Sequence, residues 1–88
     1  MAVVCELGGE DTRQDVHALL RQYGFTQVYG ALYESVSIKE TLLPRLKRDL
    51  DRHTDSYDRI RMYQYPLEDT LIITTLQNKR WRKTILHK

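Results

Sequence analysis

Among these 88 residues, the one best placed for chemistry is Glu6. It closes a short apolar run, Ala2-Val3-Val4-Cys5, and is followed by Leu7 and the glycine pair Gly8-Gly9. A helix start, Glu10-Asp11-Thr12-Arg13, comes next. A carboxylate delivered by a strand to a glycine turn, with an arginine close behind, could hold a divalent metal against a phosphate. The plain alternative is an acid near a helix start, paired with Arg13 or with a basic residue of a second copy. Asp11 reads first as a helix cap, and Arg13 as a phosphate contact or as the partner of Glu10.

A second group lies near the other end, Lys79-Arg80-Trp81-Arg82-Lys83. It is dense, free of acids and interleaved with one aromatic residue. Lys79, Arg80, Arg82 and Lys83 could track the phosphates of a nucleic acid, with binding that weakens steeply as salt rises. Trp81 is expected to pack rather than to stack on a base. The plain alternative is a charged edge strand that discourages aggregation. The charge distribution points the same way. Residues 1–44 carry six acids and three bases, whereas residues 45–88 carry six acids and eleven bases. Such an imbalance suits an anionic partner for the second half. The basic residues Arg45, Lys47, Arg48 and Arg52 alternate with acids and read as a solvated helix face.

Other chemistries find little support. His17, His53 and His87 have no metal-ligand spacing, and Ser35 and Ser37 have no base nearby in the sequence. The Gly8-Gly9 pair is too short for a phosphate-cradling loop. A lone cysteine, Cys5, allows no intramolecular disulfide and fits a reducing cytoplasm. No apolar run approaches the roughly 20 residues of a membrane span. No basic region followed by a long apolar core opens the chain, so neither a signal peptide nor a membrane location is expected.

The elements that would position these residues follow from periodicity. Residues 2–7 read as a strand rich in β-branched residues. Asp11 and Gln14 suit a capping box, and Val16, Leu19, Leu20 and Tyr23 form one apolar helical face ended by Gly24. Residues 25–34 read as one strand, with Tyr29 and Tyr33 on the same face. Ser37 and Glu40 resemble a second capping box. Leu42, Leu43, Leu46 and Leu50 make its stripe, and a start near Thr41, after one loose turn, places Pro44 where it costs little. Residues 57–65 and 70–76 read as strands, with Arg59, Arg61, Tyr63 and Tyr65 on one face. A short last strand is expected at about residues 82–87.

The order β-α-β-α-β-β predicts a single α+β domain over residues 1–88. Its expected form is a ferredoxin-like sandwich, an antiparallel-rich sheet of four to five strands with two helices on one face. Domains this small bury only about 60–65% of their unfolded surface. The uncovered sheet face, bearing Tyr29, Tyr33, Tyr63 and Tyr65, therefore predicts a homodimer.

Four motifs in order resemble the CRISPR-associated Cas-two family across nearly the whole chain. They are Cys5-Glu6-Leu7 with Glu10-Asp11-Thr12-Arg13, then Tyr23-Gly24, then Ala31-Leu32-Tyr33-Glu34, and finally Asp58-Arg59-Ile60-Arg61-Met62-Tyr63. The resemblance implies a homodimer whose sheets face one another and whose last strand crosses to the partner. It implies a role in spacer acquisition, bridging copies of the CRISPR integrase subunit on duplex DNA. It also implies that Glu6 stands where the family has a catalytic Asp, so that two copies would share a magnesium, with Mn2+ as its substitute, which would activate a water and neutralise charge on the scissile phosphate in a nuclease acting on RNA or DNA. Glu is one methylene longer than Asp, which alters the reach of such a site. Gly24-Phe25-Thr26-Gln27 and Gly30-Ala31-Leu32-Tyr33 are also similar to the VapD toxins, which implies a toxin ribonuclease as a further alternative.

Overall fold

The computed structural model describes residues 1–35 and 38–87. The element order is β1 (Ala2–Glu6), α1 (Glu10–Gln22), β2 (Thr26–Tyr29), β3 (Leu32–Glu34), a 3-10 turn (Glu40–Leu42), α2 (Leu43–Arg52), β4 (Arg59–Leu67), β5 (Thr70–Gln77) and β6 (Arg80–His87). The six strands form one antiparallel sheet in the order β2-β3-β1-β4-β5-β6. It is an α+β molecule with more strands than the four or five expected.

The extra strand comes from a reversal inside residues 25–34. Gly30 takes φ +40°, and the Gln27 amide donates to the Gly30 carbonyl at 2.6 Å. The chain turns back there, and β2 pairs with β3 as a hairpin with an irregular register between Gln27 and Tyr29. Strand propensity alone reads the segment as continuous, because a single glycine marks a bulge as readily as a turn. The observed beginning is therefore β-α-β-β-α-β.

Helix α1 starts two residues earlier than a capping box at Asp11 would place it. Gly9 is the N-cap and no side chain caps it, so Asp11 lies in the first turn, where its charge complements the helix dipole. The predicted stop is observed in full. Gly24 has φ +88°, its N–H donates to the Arg21 carbonyl, and the Phe25 N–H donates to the Leu20 carbonyl, a Schellman ending. In α2, Pro44 falls in the first turn behind the loose 3-10 turn, where a missing N–H costs nothing. The Ser37 half of the second expected capping box lies outside the described residues.

The core is a single layer between the helices and one face of the sheet. Val16, Leu19, Leu20, Leu46 and Leu50 meet Val3, Cys5, Phe25, Tyr33, Ile60, Met62 and Leu76. Among the described residues, no helix covers the opposite sheet face. Strands β4, β5 and β6 are long and joined by tight turns. The β5–β6 link is a two-residue loop in which Asn78 and Lys79 have φ of 54° and 61°, the primed geometry that matches strand twist.

Candidate nucleic-acid interface

The register determines which residues share the open face. Residues directly opposite in neighbouring strands point to the same side. Glu6 of β1 faces Arg59 of β4, which faces Gln77 of β5, which faces Arg80 of β6. The next row is Val4, Arg61, Thr75 and Arg82, and the third is Ala2, Tyr63, Ile73 and Thr84. Leu71 and Leu86 form a fourth. The open face thus has two ends, one carrying four arginines and one apolar. Arg61, Arg80 and Arg82 are exposed, and a recess of about 460 Å³ runs between Thr75, Gln77, Asn78, Arg80 and Arg82.

Strand alternation divides the basic cluster seen in the sequence. Arg80 and Arg82 lie on the open face, whereas Trp81 and Lys83 point to the helix side, opposite Leu76 and Thr74. Trp81 packs against the core with the Lys47 ammonium 5.4 Å from its ring centroid, a cation–π contact. Lys79 is committed elsewhere. Its Nζ donates to the carbonyls of Asp51 and Thr54, the latter at 3.0 Å. It also lies 2.6 Å from Asp51 Oδ1, as an ion pair rather than along a hydrogen-bond direction. A cation there completes the C-terminal end of α2, where carbonyls lack intrahelical partners. The places of Lys79 and Lys83 on the open face are taken by Arg59 and Arg61, 21 residues upstream of Arg80 and Arg82. The signal for them was the shared alternation of β4 and β6, legible only once the three strands are known to be neighbours.

Glu6 is about half exposed, and its Oε2 accepts a hydrogen bond from the Arg59 guanidinium at 2.8 Å. Arg13 lies on the first half of α1, 3.6 Å from Glu10, and does not join the arginine rows. Glu6, Glu10, Arg13, Gln14 and His17 instead border a cleft of about 750 Å³ between α1 and the β2–β3 hairpin. Among the described residues, no group of three or more His, Cys, Asp or Glu side chains could hold a metal ion. Within one chain Glu6 fits a magnesium site poorly, being a single carboxylate already occupied by a guanidinium.

The tyrosines also divide. Tyr29 pairs with Leu32 and Tyr63 with Ala2, both on the open face. Tyr65 is 72% exposed and lines a small recess with Leu71 and Leu86. Tyr33 is the exception. It sits opposite Val3, is buried in the core, and its hydroxyl lies 2.9 Å from His17 Nδ1. The reversal at Gly30 puts Tyr29 and Tyr33 on opposite faces, so Tyr33 cannot meet a second copy through the open face. Burial holds its hydroxyl above the usual tyrosine range.

A carboxylate without an assigned role proves structural. Asp58 is fully buried and accepts hydrogen bonds from the backbone N–H groups of Gly8 and Asp55, each at 2.8 Å. It ties the β1–α1 turn to the loop entering β4.

No protein-family model, curated protein or solved structure matches the chain. No helix among the described residues is long and apolar enough to cross a membrane.

Proposed function

We propose that this protein is a nucleic-acid-binding adaptor that grips a phosphate backbone with the arginine end of its open sheet face. The observation that carries this reading is the pair of rows bearing Arg59, Arg61, Arg80 and Arg82, with Glu6 as the acid among them. Guanidinium groups bind phosphate oxygens bidentately. Their spacing of about 7 Å along each strand, from a rise of about 3.3–3.4 Å per residue, suits successive phosphates of a backbone.

The resemblance to the Cas-two family gives this binding a context. In that reading the protein works in spacer acquisition, as a homodimer that scaffolds the CRISPR integrase subunit on duplex DNA. Its support is the order β2-β3-β1-β4 with both helices on one face, an order that a ferredoxin-like sandwich of the kind the resemblance implies would have. β5 and β6 extend that unit. Metal-dependent cleavage of RNA or DNA through Glu6 has weaker support, because the carboxylate is bound to Arg59.

The test is duplex DNA binding as a function of salt. Wild-type affinity falls linearly on a log–log plot, and Arg61→Ala with Arg82→Ala flattens the slope by roughly 0.9 for each phosphate no longer neutralised. Lys83→Ala leaves affinity within about twofold, because Lys83 lies on the other face. Salt-independent binding, or binding indifferent to the two arginines, refutes the proposal. Magnesium- or manganese-dependent cleavage that disappears in Glu6→Ala would favour the nuclease reading.

A further inference from the structure

Helix α1 carries two stripes. Val16, Leu19 and Leu20 are buried in the core. Glu10, Arg13, Gln14 and His17 follow the spacing i, i+3, i+4, i+7 and share a second face. That face does not simply meet solvent. It forms one wall of the cleft of about 750 Å³ whose other wall is the β2–β3 hairpin. Ligand sites usually enclose about 300–1,000 Å³, so the cleft is large enough to be one. The arginine rows make no use of it.

The lining suits a flat, neutral, hydrogen-bonding ligand. Buried Cys5 and Tyr33, with half-buried Leu7, line the deep side. The His17 ring stands edge-on to Tyr33, with centroids 5.6 Å apart and Nδ1 2.9 Å from the tyrosine hydroxyl. That contact engages Nδ1 and leaves Nε2 as the ring's second hydrogen-bonding atom. Exposed Gln14 and Gln27 stand on the two walls. Gln27 donates to the Gly30 carbonyl through its amide nitrogen and keeps its own oxygen as an acceptor. A primary amide offers a donor and an acceptor side by side, the pairing that base edges present. Both acids at the rim are matched by guanidinium groups, Glu10 by Arg13 at 3.6 Å and Glu6 by Arg59 at 2.8 Å. Balanced charge disfavours a bare phosphate or a cation as the occupant.

We infer that this cleft receives one unpaired base of a nucleic acid whose phosphates lie on the arginine rows. Glu6 joins the two sites, since it borders the cleft and bonds to Arg59 on the neighbouring strand. Neighbouring strands lie about 4.7–4.9 Å apart, so the first guanidinium of the rows is one strand away from the cleft. A base turned out of its stack is held by the means found here, an aromatic surface and polar groups along its edge. The inference rests on the nucleic-acid reading and narrows it to a backbone with a base free of its partner. Arg61 and Arg82 keep their phosphate role.

The experiment compares two labelled DNA duplexes by fluorescence anisotropy with the full chain. One carries a single bulged nucleotide, and the other an abasic sugar-phosphate at the same position, so that charge and backbone are equal. The wild type is expected to bind the bulged base about tenfold more tightly. Ala31→Leu narrows the cleft from an exposed position at the hairpin turn, and Gln14→Ala removes an amide from the exposed face of α1. Each should cut the preference to about threefold or less. A photoreactive thiothymine at the bulge should cross-link within residues 10–17 or 27–33, the two walls of the cleft. Equal affinity for the two duplexes overturns the inference and leaves the arginine grip standing. Cross-linking confined to residues 80–87 also overturns it, as does a preference that survives both variants. Binding to neither duplex removes the nucleic-acid reading and this inference with it.

Discussion

Three ionisable residues show how little residue type alone says about role. Glu6, the acid best placed for metal chemistry, lies on the open face and holds Arg59. Lys79, part of the basic cluster, is turned inward to the end of α2. Asp58 sits in a motif with arginines and is a backbone clamp. Replacing Asp58 by Ala leaves two N–H groups without their acceptor, and a fall in stability of roughly 3 kcal/mol is expected. Urea unfolding would register this as a lower midpoint with an unchanged slope. Cys5 gives a pH prediction. Burial pushes its thiol up to about 12, from an ordinary value of 9.0. The folded state therefore favours the neutral thiol. Its contribution to stability is complete below the unfolded value of about 9 and is lost as pH rises from there toward 12. Replacing Cys5 by Ala should flatten the stability profile in that window, and a profile as steep as before would rule out the thiol as its source.

At the level of elements, the hairpin of β2 and β3 has the largest consequences. Its reversal at Gly30 puts Tyr29 on the open face and Tyr33 in the core. An L side chain at φ +40° is strained even though nothing crowds the position. Gly30→Ala is expected to lower stability by about 1 kcal/mol, and thermal unfolding should report it without any change in core packing. Much of this level was legible in the residues. The stripe Val16, Leu19, Leu20 and Tyr23, the stop at Gly24 and the early position of Pro44 are local signals that the structure bears out, whereas the capping box at Asp11 misplaced the start of α1. The hairpin was not, because one glycine in a strand-favouring run is ambiguous without a partner strand to show the reversal.

For the whole molecule, the decisive property is the gradient across the open face. The arginine pairs lie on β4 and β6, separated in the chain but brought to one surface by β5 between them. Four guanidinium groups on one face concentrate positive potential that the small net charge of +2 conceals. This is the physical basis for expecting salt-sensitive binding that depends on Arg61 and Arg82 and ignores Lys83.

The amino-acid sequence by itself determined the α+β class, the two helices with the stop of the first at Gly24, the strands of the β4–β5 hairpin and the presence of an uncovered face. Those properties follow from periodicity of 2 or 3.6 residues and from turn chemistry, which act over a few neighbours. Only the tertiary structure decided which charges meet. A one-residue change of register moves every side chain of a strand to the other face. Whether Lys83 joins Arg82, or Arg61 does, is therefore decided by pairing between distant strands. The carboxylate at the end of β1 illustrates the division. Its place on a strand before a glycine turn is local, but its partner, Arg59, came from the register of β1 against β4.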